Sequence, residues 1–249
     1  MVSLKTSEEI ELMRRANLIV AEVLQELKAL IHPGVSTASL DEKAEEIIRG
    51  RGATPAFKGY GGFPASICVS INDEVVHGIP SRKKVLEEGD IVGIDCGTCL
   101  EGYFGDAAVT LAVGDISDDA ARLMKETKAS LDAAIDKVRV GNRLSDISNA
   151  VQSHVEAKGY SVVRNFVGHG IGKSLHEEPQ IPNYGSSGRG IRLKAGMVFA
   201  IEPMINIGKS EVSVLDDGWT AVTNDGSLSA HFEHSVAVTE NGPYILSQI

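Results

Sequence analysis

The sequence predicts an α+β fold of two similar halves, each running helix, helix, strands, around a central antiparallel sheet. Three observations lead there. Slid along itself by 107 positions, the chain lays Gly34 on Gly141, Gly52 on Gly159, Gly89 on Gly196 and Ile94 on Ile201, and it carries Asp95 onto Glu202. Two segments of helical apolar period open each half. Apolar, β-prone arms separated by glycine-bearing reversals follow them. Residues 1–249 are therefore expected to form one domain, with halves near 1–113 and 114–249.

The elements follow in order. Thr6-Ser7-Glu8-Glu9 reads as a capping box, and Met13, Ala16, Val20, Val23, Leu27 and Leu30 recur at three- and four-residue steps behind it. That long amphipathic helix stops at Pro33-Gly34, and a second spans roughly Leu40 to Arg49. An aromatic, glycine-rich loop from Phe57 to Pro64 precedes an extended run from Ile67 to Ile71. Next comes a hairpin whose arms end and begin near Asp95 and Asp106. The order then restarts: a helix from Asp118 or Asp119 to about Val138, a second from Ser145 to Lys158, and strands from near Val162. In the second half Gly196 to Glu202 copies the arm ending in Asp95. The later strand from Ala230 to Val238, which carries Glu233, is its expected partner.

A reversal centred between Leu100 and Glu101 would set Asp95 directly opposite Asp106. Like charges directly opposed on a ladder are destabilising, so a shared proton, a buried cation or a different register is required. The internal repeat favours the cation, because it adds Glu202 and Glu233 to the same centre. Four carboxylates in a low-dielectric cleft are neutralised by two divalent ions. Oxygen ligands with one imidazole suit manganese, iron, cobalt or zinc, and His169 between Gly168 and Gly170 is the best imidazole. Two such ions can hold a bridging hydroxide and polarise a carbonyl, which is hydrolytic chemistry.

The bulk numbers exclude other classes. The composition is 43% apolar and 23% charged, as in ordinary globular proteins. The net charge is −10 and no stretch is strongly basic, which argues against direct nucleic-acid binding, DNA included. No apolar run is long enough to span a bilayer and no signal-peptide layout opens the chain, so a cytoplasmic location without a membrane is expected. Cys68, Cys96 and Cys99 are odd in number and read as small buried residues rather than a disulfide or zinc framework. The glycine loops match neither dinucleotide nor P-loop patterns.

Taken together, Asp95-x10-Asp106, Gly168-His169-Gly170, the run from His176 to Gly185, Ile201-Glu202-Pro203-Met204 and His231-Phe232-Glu233-His234 resemble the type 1 methionine aminopeptidases over nearly the whole chain. The resemblance implies the pita-bread fold in a single catalytic domain. It implies Asp95, Asp106, His169, Glu202 and Glu233 as ligands of two divalent ions (Co, Mn, Fe or Zn). Catalysis would fall to Glu202 as proton shuttle, to His77 on the scissile peptide and to His176 on the tetrahedral intermediate. The initiator methionine of a nascent chain with a small second residue would be removed, possible docking on the ribosome included, by an enzyme that nothing requires to be more than a monomer. The methionine side chain would sit among Tyr60, Phe63, Cys68, His77, Leu175, His176 and Trp219. Phe57 and Leu175 depart from the cysteine and phenylalanine that relatives often carry there. A monovalent cation, Na or K, is implied near Asn72, Glu74 and Ser229. Proline-directed peptidases on the same fold, and a silent binding protein that kept it, are the rival readings.

Overall fold

A computed structural model describes residues 2–248 of the chain. Helix α1 (Ser7–Leu30) begins at the expected capping box: Glu9 N donates to Thr6 Oγ1 at 3.2 Å, and Thr6 N donates to Glu9 Oε2 at 2.9 Å. Its apolar stripe of Met13, Ala16, Val20, Val23 and Leu27 is fully buried, while Leu30 at its end is exposed. Helix α2 (Thr37–Gly50) starts a turn earlier than the apolar pattern suggests, because Ser36 Oγ accepts from Ser39 N and caps it. In the second half α3 (Asp118–Ile135) and α4 (Leu144–Glu156) repeat the pair.

Among the described residues fifteen short to medium strands accompany the helices. The first half holds β1 (Thr54–Pro55), β2 (Ile67–Ile71), β3 (Glu74–Val76), β4 (Ile91–Leu100) and β5 (Tyr103–Ala112). The second holds β6 (Ser161–Val162), β7 (Gly168–Gly170), β8 (Glu177–Ile181), β9 (Val198–Ile201) and β10 (Met204–Asn206). After these come β11 (Val212–Val214), β12 (Ala221–Thr223), β13 (Ser229–His231), β14 (Glu233–Thr239) and β15 (Gly242–Ile245). Nine strands form one sheet in the order β1-β4-β5-β14-β9-β7-β8, with β2 beside β4 and β15 beside β14. The halves join where β5 pairs with β14, Ala108 facing Glu233 and Ala107 facing His234. One apolar core lies under α1 and α2, and another under α3 and α4.

The hairpin register differs from the sequence expectation. Asp95 faces Ala108 and Asp106 faces Gly97, so the two acids are diagonal neighbours on one face rather than opposite residues. The cause is the turn. Glu101 and Gly102 both take positive φ (51° and 80°), the signature of a two-residue turn matched to strand twist, and this moves the reversal one residue along the chain. Diagonal placement keeps both side chains on one face while relieving the direct opposition of like charges. Among the described residues no helix is long and apolar enough to cross a membrane.

Candidate metal centre and substrate cleft

The backbone that carries Asp106, Glu202, Glu233 and His169 is placed by a separate local device in each case. Asp106 N donates to Asn17 Oδ1 (3.2 Å) from α1 and to Ser235 Oγ (3.3 Å) from β14, while Ser235 Oγ donates to Asp106 O (2.8 Å). Glu202 follows β9 directly, and Pro203, with no amide hydrogen, ends the ladder there. Glu233 opens β14 after a break at Phe232, a segment pinned by Thr110 Oγ1, which donates to His231 O (2.7 Å) and accepts from His231 N (2.9 Å). His169 sits on β7 where the backbone is crowded. A Cβ on Gly168 would lie 2.5 Å from Ala200 O, and one on Gly170 would lie 2.4 Å from Glu178 O. Only glycine fits on either side of that histidine.

These devices converge. Asp106, His169 and Glu233, all buried, bring one ligand atom each within 4.8 Å of the others. Glu202 joins through His169 Nε2 at 3.7 Å, and Asp106 lies 4.0 Å from the same nitrogen. Asp95 completes the acidic group beside Asp106. His169 Nδ1 lies 2.9 Å from Gly170 O, which as an acceptor holds the proton on Nδ1 and turns the Nε2 lone pair to the carboxylates.

The electrostatics fit cations. Burial pushes the Asp95 pKa up to about 7, partly opposed by hydrogen bonding with Asp106. Asp106, Glu202 and Glu233 are raised well above the carboxylate range, by burial first and then by one another's charge. Burial lowers His169 to about 4. Asp95 Oδ1, Asp106 Oδ1 and Glu233 Oε1 are buried without a hydrogen-bond partner in the protein. Buried acceptors with no donor, four mutually repelling carboxyls and a neutral imidazole form a donor set that fits divalent cations.

The acids floor a cleft of about 350 Å³. Its walls include every residue expected around a methionine side chain: Tyr60, Phe63, Cys68, His77, Leu175, His176 and Trp219. Phe63 meets Trp219 edge-on at 5.1 Å, and His77 meets Phe166 at 5.2 Å. His176, exposed at the mouth, has Nδ1 2.8 Å from Tyr60 Oη and its ring 4.2 Å from that of His169. His77 takes φ of +62°, a left-handed conformation costing a non-glycine residue about 1–3 kcal/mol, and burial lowers its pKa to about 4. Burial also holds the Cys68 thiol protonated.

Several wall residues escaped the sequence reading. Asn165, Phe166 and Val167 lie in a loop without periodicity; Phe57, noted in the sequence as a departure at the pocket, also faces the cleft. His231 is buried, has Nε2 without a hydrogen-bond partner 3.7 Å from Glu202, and has a pKa lowered by burial to about 3. Its place two residues before Glu233 was the signal available. Asn72 and Ser229 do meet, Ser229 N donating to Asn72 O at 2.9 Å. Glu74 accepts from Ile71 N at 3.0 Å and is paired with Lys84.

A carboxylate-lined, imidazole-bearing cleft at the junction of two repeated halves defines a class, and comparison with known proteins names it. Residues 11–240 match the model of metallopeptidase family M24. The chain is 56% identical over 247 residues to a protein of Clostridium acetobutylicum named methionine aminopeptidase, covering 99% of both chains. The crystal structure of methionine aminopeptidase from Thermotoga maritima superposes with a TM-score of 0.99 at 47% identity, covering both chains fully. The prolidase of Pyrococcus furiosus has the same architecture at a TM-score of 0.78 and 25% identity, with 99% of this chain matched to 65% of that one. The chain belongs to metallopeptidase family M24 and has its pita-bread fold; within that family it stands with the methionine aminopeptidases.

Proposed function

We propose that this enzyme removes N-terminal methionine from peptides and nascent chains whose second residue is small. The observation that carries the reading is that the acidic group and the apolar, aromatic walls line one cleft. Two divalent ions held by Asp95, Asp106, His169, Glu202 and Glu233 would supply Lewis acidity toward that carbonyl and water acidified into the neutral range.

The chain's own groups do the rest. Phe63, Cys68, Leu175 and Trp219 enclose the flexible thioether, which makes favourable contacts with ring edges. Glu202, 3.7 Å from both His169 and His231, takes the proton of the attacking water and returns it to the leaving amine. His176, with Nδ1 engaged by Tyr60, directs Nε2 to the developing oxyanion. His77, neutral because of burial, offers one N–H to the scissile peptide.

Metal-reconstituted protein incubated with Met-Ala-Ser, Leu-Ala-Ser and Ala-Pro tests this reading. Release of free methionine alone, abolished by chelator, is the expected outcome. Preference for Ala-Pro would instead support a prolidase-like activity, and silence with every divalent metal would support a binding protein.

A further inference from the structure

Helix α2 carries two carboxylates that grip the loop forming one wall of the cleft. Asp41 and Glu45 stand four residues apart and so share a face of the helix. Asp41 Oδ1 accepts from Ser66 N (2.8 Å) and from Ile67 N (3.0 Å), where the loop passes into β2. Glu45 Oε2 accepts from Lys58 Nζ (2.6 Å) and from Ser66 Oγ (3.2 Å), at opposite ends of the same loop. One turn further along, Arg49 Nε donates to Glu45 Oε1 (2.7 Å) and fixes the angle of that carboxylate. Lys58 first, and then Arg49, hold the Glu45 pKa down at about 2, so the carboxylate is charged at neutral pH.

Between these anchors the loop bonds to itself. Gly59 N donates to Phe63 O (2.8 Å), Tyr60 N to Phe57 O (2.9 Å) and Phe63 N to Tyr60 O (2.9 Å). Gly59, Gly61 and Gly62 all take positive φ (87°, 56° and 93°), and glycine gives up more backbone freedom on ordering than any other residue. Yet this loop presents Tyr60 and Phe63 to the cleft, Tyr60 meeting His176 and Phe63 meeting Trp219. Trp219 lies against the turn itself, since a Cβ on Gly61 would be 3.3 Å from its Cη2.

The fold does not demand the two acids. At the 107-residue offset the same face of α4 carries Ser148 and Gln152. There Gln152 Oε1 accepts from Gly185 N (2.8 Å), so a neutral side chain suffices to hold a loop to the helix. The carboxylates belong to the half that builds the aromatic wall.

We propose that Asp41 and Glu45 are positioning residues for methionine binding: they hold loop 57–66 in one arrangement, so that Tyr60 and Phe63 are in place before the substrate arrives. The identity of the substrate rests on the proposed function. A loop in the binding arrangement only part of the time weakens apparent affinity by that fraction, while the bound complex is unchanged. Loss of the grip therefore raises KM and spares kcat.

Trp219, the only tryptophan in the chain, reports on the loop without any substrate. In Glu45→Ala and Asp41→Ala its fluorescence should become more readily quenched by acrylamide. KM for Met-Ala-Ser should rise roughly threefold to tenfold in both, with kcat within about twofold of the parent. Glu45→Gln and Asp41→Asn keep an acceptor oxygen and should stay within about twofold of the parent in KM. Glu42→Ala, which removes an exposed acid paired with Arg82 on the same helix, should behave as the parent in both measurements. Unchanged quenching and KM in Glu45→Ala overturn the proposal, even if Asp41→Ala, with two amides left unpaired, fails to fold. Loss of kcat at constant KM overturns it too, as does quenching that rises while KM holds, or an equal effect in Glu42→Ala. A parent that releases no methionine overturns the proposed function and the substrate named here, while quenching of Trp219 still decides whether the two acids hold the loop.

Discussion

The two halves meet at one cleft but contribute to it by different means. The first half supplies Asp95 and Asp106 from a single regular hairpin, β4 and β5, where one ladder and one turn determine both positions. The second supplies His169, Glu202 and Glu233 from three short elements, β7, the end of β9 and the start of β14, which only tertiary pairing brings together. Duplicated secondary structure therefore does not mean duplicated site construction. The first half uses two unbroken ten-residue strands, and the second uses shorter strands with breaks at Pro203 and Phe232. The outer loops share one backbone pattern, the bridge between Ser36 and Val85 in one half matching that between Arg143 and Arg192 in the other.

The sharpest way to break this comparison is to remove one acid from each half. Asp106→Asn and Glu233→Gln should each lower metal stoichiometry by calorimetry and methionine release by more than the ~10–100-fold typical of residues one step removed from a metal. Unchanged stoichiometry and turnover in either would show that its half does not share the centre. Next in size is His176→Asn, which should cost roughly 10²–10³-fold in kcat while leaving the metal content intact. Loss of metal along with activity would instead make His176 part of the ligand set.

Smaller effects probe the helix caps. Glu9 is held at about 2 by the Thr6 amide first, then by Tyr103 and Lys173, and Asp146 lies below its usual value through Ser187 and the amides of Arg143 and Gly188. Both folded-state pKa values are depressed, so each contributes stability that is present above its ordinary carboxylate pKa and is lost as pH falls toward the folded-state value. Thermal melts between about pH 5 and pH 2 should therefore lose less on acidification in Glu9→Gln and Asp146→Asn than in the parent. A parallel acid limb in all three would show that these carboxylates do not couple to folding. Smallest is the cap exchange: Ser36→Ala should destabilise by about 1 kcal/mol, and Arg143→Ser should stabilise by up to about 1 kcal/mol, read from denaturant midpoints. A loss in Arg143→Ser would mean that the arginine supports its own helix.

Much of this was legible from residue order. The capping box, the apolar stripe of α1, both helix pairs and the identity of the acids follow from periodicity and from the 107-residue offset, which reappears in α2 starting at Thr37 and α4 at Leu144. The centre of the hairpin turn was misplaced by one residue, and the pairing register therefore by two, because a glutamate at positive φ, Glu101, is not a residue that announces a turn. His231 and the loop from Asn165 to Val167 were missed because their position depends on neighbours far away in the chain.

The sequence by itself determined the halves, the helices, the family and the list of acids, because those depend on local periodicity and on residue types that few other chemistries require. Only the tertiary structure decided that Asp95 and Asp106 sit diagonally and that Glu202 faces both His169 and His231. The physical reason is the same in each case. Charge and ligand geometry act over a few ångströms, and residues far apart along the chain come within that range only when strand pairing and packing place them there.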